Sequence, residues 1–390
     1  MKNPIKKVIL ALCIVTAMQV ADYFITNLTY PLLDSVDAIM VYDYLTKKGE
    51  GPDEDVLFVN VGYDKTLVPV LDEFGDTIGN TPITDRRMLA NFLDAIKDSG
   101  YKYIFLDIRF EEGTRSEDDS LLFSVMKNLH RFSYSTHRKE IDLVPDDVKN
   151  KGGYSDYRGN FRDGFVRYEL LQDGKESSAI KMYDAISGAK FRKEGILFFE
   201  DDHLTYNMVF TPFYLNDVSS YGEMGRVKYH NLGYELLKNN DSERLSSLTK
   251  DKIIVIGDFE NDKHQTYIGE VPGPLLTLRT YQLLHRKGAR FSWLCFWITS
   301  GVYFLILWSL LGKYDIADRI CALLKIKSRG MAFILTFIGW GFILSVVKLV
   351  LYAIFEIAFV AWLPALVFSL VSTFNDYKRT GIPSAGKVKP

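Results

Sequence analysis

The stretch DKIIVIGDFENDKHQTYIGEVPG, residues 251–273, decides how the rest of the sequence is read. Ile253, Ile254, Val255 and Ile256 form an apolar run without polar alternation, the pattern of a strand covered on both faces. Gly257 ends the run, and Asp258, Asp262, His264 and Thr266 follow it. Donor-bearing side chains therefore stand where a buried strand reaches the rim of its sheet. In open α/β sheets that rim, beyond the carboxyl ends of the strands, is where ligands bind.

Working outward, VLFVNVG (56–62) reads as a first buried strand and YKYIFLDIRF (101–110) as a second. Between them, residues 85–99 place Met88, Leu89, Phe92, Leu93 and Ile96 at helical spacing behind Thr84, a residue type that caps helices. A further helix opens at Ser116, with Glu117, Asp118 and Asp119 in its first turn and Leu121, Leu122, Val125 and Met126 inward. Carboxylates there offset the positive end of the helix dipole, although a cation site is the alternative use. Strand and helix in alternation predict parallel pairing with right-handed crossovers. FSYSTH (132–137), DGFVRYELLQDGKE (163–176) and GILFFEDDHLTYNMVF (195–210) read as antiparallel strands punctuated by turns such as Asp173-Gly174. The stretch 275–285 closes the region as a helix. The expected fold is α/β, a mixed, largely parallel sheet flanked by helices.

Composition averages two unlike parts: the chain is 47% hydrophobic and 25% charged, with net charge −2. Residues 8–25 are apolar behind Lys2, Lys6 and Lys7, long enough to cross roughly 30 Å of hydrocarbon. The run exceeds a signal-peptide core and lacks a small-x-small cleavage site, so an uncleaved anchor is expected, with a cleaved signal as the alternative. Bulky Leu12 before Cys13 argues against a lipoprotein signal. A second apolar span covers 293–311, with Trp293, Trp297 and Trp308 as interfacial aromatics. Residues 331–374 would make a helix of about 66 Å, so two spans are expected, broken around Lys348 and Glu356. Those two residues are expected at the membrane surface beside a turn, with an intramembrane charge pair as the alternative.

Lys and Arg cluster at the N terminus, in the loop 313–330 and beyond Asn375, which places all three on the cytoplasmic side. The expected organisation is a tail and anchor (1–25), an extracytoplasmic domain (26–290), three membrane helices with a basic cytoplasmic loop at 313–330 (291–374), and a cytoplasmic tail (375–390). The membrane part is thus an all-α bundle of four transmembrane helices in a bacterial cytoplasmic (inner) membrane, with the large domain in the periplasm or outside the cell. In the loop, Ile316, Ile320, Leu323 and Leu324 recur at helical spacing among basic residues, as in an amphipathic interfacial helix. Cys13, Cys295 and Cys321 all lie in or beside membrane segments, so the outer domain has no disulfide. At about 265 residues it is large enough to bury its own core without one.

The sequence contains no Gly-x-Ser-x-Gly elbow, no Walker loop, no paired Cys motif and no His-Glu-x-x-His helix, so a non-enzymatic role is expected. Asp64, Asp107, Arg109, Asp258, Asp262, His264 and Thr266 lie at or beyond strand ends and are the expected ligand-contacting residues. Asp258, Asp262 and His264 carry donors that Zn²⁺ or Mn²⁺ accepts, but without a recognised ligand spacing. Neither a metal nor a cofactor is expected.

Several stretches together resemble one family: VLFVNVGYDKT, TPITDRRMLANFLDAIKDSGYKYIFLDIRFEE, SEDDSLL, and LTKDKIIVIGDFENDKHQTYIGEVPGPLLTLRTYQLLHRKG. Their order is similar to that in CHASE type 2 sensor domains, extracytoplasmic modules that precede histidine kinases, adenylate cyclases or Ser/Thr kinases. The sequence departs from the family pattern at Tyr267, where Pro is frequent, at Val271, where Met precedes Pro-Gly, and at Thr277 and Arg279, where His and Asn are common. The resemblance implies a membrane-anchored sensor for an unknown extracytoplasmic ligand. Residues 375–390 are too few for a kinase or cyclase, so output is expected through another membrane or cytoplasmic signalling protein. The alternatives are a scaffold or accessory subunit of an envelope complex and, less supported, a metal-dependent hydrolase using Asp258, Asp262 and His264. The lipid bilayer is an expected partner and nucleic acid is not.

Overall fold

In the computed structural model the chain divides into two compact units, Met1–Tyr42 with Ser292–Pro390, and Asp43–Phe291. The structure describes residues 4–28, 46, 55–111, 115–137, 143–159, 165–213, 228–233, 242–312, 329–355 and 361–380.

The Asp43–Phe291 unit is built on a six-stranded parallel sheet. From edge to edge the strands are Tyr229–Asn231, Val56–Asn60, Ile253–Gly257, Tyr103–Asp107, Phe132–Thr136 and Gly152–Tyr154. Side chains alternate across a pleated strand, so Val56–Asn60, Ile253–Gly257 and Tyr103–Asp107 each feed two cores. Phe58, Tyr103, Phe105, Ile253 and Val255 pack with residues of helices Ser178–Ser187 and Gly273–Lys287, among them Ile180, Leu275 and Leu278. Leu57, Val59, Ile104, Leu106, Ile254 and Ile256 pack on the opposite face with residues of helices Arg86–Ile96, Asp119–Asn128 and Ser242–Thr249. Every residue of Ile253–Gly257 is buried, which accounts for the unbroken apolar run.

Two details differ from the sequence reading. Phe132–Thr136 is not an antiparallel addition but an inner strand of the parallel sheet, between Tyr103–Asp107 and Gly152–Tyr154. Its Ser133 and Ser135 are buried together with Tyr134, so the polar alternation that suggests a solvated face is a buried polar strip. The first helix is capped by Asp85, whose carboxylate accepts the Met88 N–H at 2.8 Å. Thr84 is instead the last residue of the strand Thr77–Thr84, where it pairs with Lys65 of Lys65–Leu71. The other middle segments do form small antiparallel sheets, Tyr157–Gly159 with Phe165–Glu169 and Met208–Val209, and Phe191–Glu194 with Leu197–Glu200 and His203–Thr205.

Sheet and helix backbones approach closely at Gly153. A Cβ there would lie 2.7 Å from both N and Cα of Ser178, main-chain atoms that cannot rotate away. Gly153→Ala is expected to lose about 1–3 kcal/mol of stability, read as a lowered melting temperature of the full-length protein in detergent.

The chain leaves this unit through residues 289–291, held like an added strand against His203–Thr205. The Tyr206 N–H donates to the Ala289 carbonyl at 3.0 Å, and the Phe291 N–H donates to the Leu204 carbonyl at 2.8 Å. The Arg290 guanidinium reaches the buried Glu200 carboxylate at 3.2 Å.

Among the described residues the other unit contains three helices long and apolar enough to cross a membrane, within Pro4–Asn27, Trp293–Leu311 and Phe333–Phe355; Trp362–Asn375 is a shorter apolar helix. Ala11, Val15 and Met18 pack with Tyr303, Leu307, Trp340, Leu344 and Phe368 in its core. The helix Arg329–Phe355 runs on through Lys348, which is only 3% exposed, so this residue belongs to the packed helix and not to a turn. Glu356 and the loop residues Ile316, Ile320, Leu323 and Leu324 lie outside the described residues.

Candidate functional site

The carboxyl ends of the parallel strands form a polar rim. Its densest part lies where Tyr103–Asp107 and Phe132–Thr136 end. Asp107 is the last residue of its strand, His137 directly follows the next, and Asp156 and Tyr157 follow Gly152–Tyr154. The hairpin Lys263–Thr266/Gly269–Pro272 brings His264 to the same place, just after Asp262. That hairpin is pinned to the adjoining helix by the Gly273 N–H, which donates to the Asp262 carbonyl at 2.8 Å. A Cβ at Gly273 would collide with the Asp262 carboxylate, so glycine is required for this approach.

Both imidazoles are held by acidic partners. His137 Nδ1 lies 2.8 Å from Asp156 Oδ1. His264 Nε2 lies 3.2 Å from Asp262 Oδ1, and its Nδ1 lies 2.9 Å from the Tyr157 hydroxyl. The Tyr157 ring meets the imidazole edge-on, with centroids 5.2 Å apart.

Asp107 faces this group from inside. Burial first, then the Asp262 carboxylate, push its carboxyl up to about 6, against the pull of the Ser135 hydroxyl, His137 and His264. A proton count points the same way. Asp107 is hydrogen-bonded to Ser135, Ser135 to Ser155 at 2.8 Å, Ser155 to Ser178 at 3.0 Å, and Ser178 donates to the Gly153 carbonyl at 2.8 Å. This chain has one more link than it has serine hydroxyl hydrogens. With the Ser135 hydroxyl donating to an ionised Asp107, one link of the chain lacks a hydrogen, and a proton taken up by Asp107 would supply it. Ser135 and Ser178 are buried, so water does not readily replace a lost link.

Of the residues expected at the site, Asp107, Asp262 and His264 come together here. The others make local contacts of their own. Asp64 accepts the Asp85 N–H on its carbonyl at 2.9 Å and the Gly233 N–H on its carboxylate at 3.2 Å. Asp258 accepts the N–H groups of Glu260 and Asn261 and pairs with Lys65 at 3.0 Å. Burial acts to raise its carboxyl, but the hydrogen bonds from Asn261 and Lys65 outweigh it and hold it below the ordinary range. Arg109 is exposed, and its carbonyl accepts from Arg86 at 3.0 Å. The Thr266 hydroxyl donates to the Gly269 carbonyl at 2.7 Å and closes the hairpin turn. Sequence reasoning missed Ser135, His137, Ser155, Asp156, Tyr157 and Ser178; the signal was the Ser/Thr alternation of FSYSTH, once taken as a buried strand.

Among the described residues no three His, Cys, Asp or Glu side chains converge as a metal set. Asp119 lies 3.3 Å from Arg86 and Asp118 lies 2.7 Å from Arg87, so two of the three helix-start carboxylates bind arginines of the preceding helix.

The chain thus combines a parallel α/β domain, whose strands end in a polar rim, with three helices among the described residues that are long and apolar enough to cross a membrane. A family model described as CHASE2 domain matches residues 9–314, and the chain belongs to this family of extracytoplasmic sensor domains. Comparison with curated proteins and with solved structures finds no match.

Proposed function

We propose that the chain is a sensor subunit of the bacterial cytoplasmic membrane, with the Asp43–Phe291 unit on the far side from the ribosome and four crossings in total. The observation that carries this reading is the extent of the CHASE2 match: it spans not only the α/β unit but also most of the apolar helix Pro4–Leu28 and all of Trp293–Leu311. The basic segments before the first helix, at 313–330 and after Asn375 support inward ends and a fourth crossing by the shorter helix at Trp362–Asn375.

In this reading the rim around Asp107 and His264 meets an extracytoplasmic ligand, and the protein acts by binding, not turnover. The strand-like hold on residues 289–291 offers a route by which a change in the domain reaches the helix that begins at Trp293, and from there a partner signalling protein. A ligand shifts that state only by preferring one conformation over another.

Topology is the test. A reporter active only outside the cytoplasm, inserted at the exposed Gly195 turn between Lys193 and Leu197, is expected to give signal there. The same insertion of a cytosol-active reporter is expected to be silent. Signal from the cytosolic reporter alone overturns the assignment.

A further inference from the structure

At the edge of the sheet next to the His137–Asp156 pair lies a cavity of about 630 Å³, within the range of small-molecule sites. Among the described residues its charged walls are unbalanced: Lys149, Lys175, Lys181, Arg192 and Lys193 line it against one carboxylate, Glu176. The chain as a whole carries net charge −2, so this concentration of one sign is local. A second cavity of similar size, lined by Arg115, Lys127, Glu117, Asp119 and Asp147, mixes both signs, and its Lys127 and Asp147 pair at 2.7 Å.

The five cations are not equally occupied. Lys149 pairs with Asp146 at 2.8 Å, and Arg192 pairs with Glu194 at 2.7 Å, so both are partly neutralised outside the cavity. Lys181 donates to the Asn150 carbonyl at 2.7 Å, and Glu176 stands 3.8 Å from it. Lys175 and Lys193 have no carboxylate partner among the described residues. The Lys175 ammonium lies 5.6 Å above the Tyr154 ring and 3.3 Å from its hydroxyl, and that of Lys193 lies 5.7 Å from the Phe198 ring. Ammonium groups gathered in a concave surface raise its positive potential, which an anion entering the cavity relieves.

We propose that this cavity binds a small molecule carrying two or more anionic groups, carboxylate or phosphate. Lys175, Lys181 and Lys193 would contact the charges directly, while Arg192, held by Glu194, the Asp201 carbonyl and Asp202, would add positive potential to the wall. A dianion or larger anion fits better than a single charge because the cations line separate walls, from residue 149 to residue 193. The proposal gives a ligand class to the sensor reading, but binding itself rests on the cavity and holds whichever side of the membrane the domain occupies.

The test is isothermal titration of the full-length protein in an uncharged detergent, with citrate as the polycarboxylate probe and inorganic pyrophosphate as the phosphate probe. Saturable one-to-one binding of at least one probe is expected, with affinity falling at least tenfold in a Lys175→Gln/Lys193→Gln variant. Both lysines are exposed, and circular dichroism checks that the variant stays folded. Lys97→Gln, which removes a lysine paired with Asp94 on another helix, is expected to leave affinity unchanged. Binding should also weaken as sodium chloride rises. Preference for citrate or for pyrophosphate supports the proposal and tells the two chemistries apart. Absence of saturable binding of both probes, or binding that the double variant does not weaken, overturns it. Failure here with an outward topology reporter would leave the sensor reading standing, and the reverse result would leave the site standing.

Discussion

Asp119→Ala is expected to cost the folded protein about 3–5 kcal/mol, while Arg86→Met at the other end of the same ion pair stays within about 1 kcal/mol of wild type. The asymmetry comes from burial. Arg86 is 1% exposed, beneath the Phe110 ring at 4.6 Å, and burial acts to lower its pKa while Asp119 acts to raise it. Its Nε lies 3.3 Å from Asp119 Oδ1, close enough for ion pairing but outside hydrogen-bond geometry, and its Nη2 donates to the Arg109 carbonyl. Removing Asp119 leaves a buried guanidinium without its counter-charge. Removing Arg86 leaves a carboxylate with some exposure that still accepts the Ser116 N–H at 2.8 Å, and methionine fills the apolar space under Phe110. The double variant is therefore expected to be more stable than Asp119→Ala alone. Denaturant unfolding of the full-length protein in detergent, followed by far-UV circular dichroism, measures all three. Equal losses in Arg86→Met and Asp119→Ala would reject the desolvation argument.

The same pair illustrates what the sequence made legible. SEDD opening a helix is readable as carboxylates at a helix start, but its arginine partners are in DRR, on the preceding helix, and only the packing of the two helices joins them. Buried strands were readable where apolar residues ran without a break, as in Ile253–Gly257 and Val56–Asn60. Phe132–Thr136 was misread because serine on a strand predicts a solvated face, whereas both of its serines are buried among other polar groups. The hairpin Lys65–Leu71/Thr77–Thr84 went unpredicted, since Pro69 and Pro82 argue against a ladder. In a two-stranded hairpin both strands are edges, which tolerate proline.

For the site, chain order was the obstacle. Donors at strand ends were readable one strand at a time, but which ends are neighbours depends on strand order. Ile253–Gly257 inserts between Val56–Asn60 and Tyr103–Asp107, a placement that sequence separation does not reveal. The hairpin after it then carries Asp262 and His264 toward Asp107, while Asp258 turns back to Lys65. The cationic cavity was hidden for a related reason, its lysines and arginine being scattered over separate short segments from 149 to 193.

The second large effect concerns pH. A carboxyl whose folded value is raised from 3.8 to about 6 binds more protons in the folded than in the unfolded state between those values. Its contribution to stability is therefore full in acid and is lost as pH rises from about 4 to about 6, after which the loss is complete. Asp107→Asn keeps a neutral donor toward Ser135 and avoids the loss. Well above pH 6 it is expected to be more stable than wild type by about 3 kcal/mol, with the difference vanishing near pH 4. Asp184, raised to about 8 by burial and by Glu176, Asp201 and Glu200, adds a slope of the same sign to both proteins, so the informative quantity is the difference between the two curves. Ser135→Ala provides the complementary variant. It cuts the chain between Asp107 and the Gly153 carbonyl, and is expected to lower stability by about 1 kcal/mol even in acid, where wild type has every link made. Thermal unfolding followed by circular dichroism from pH 4 to pH 8 separates these outcomes. If Asp107→Asn tracks wild type across the whole range, or loses stability at neutral pH, Asp107 is not a strained buried acid and the proton count that joins it to Gly153 fails.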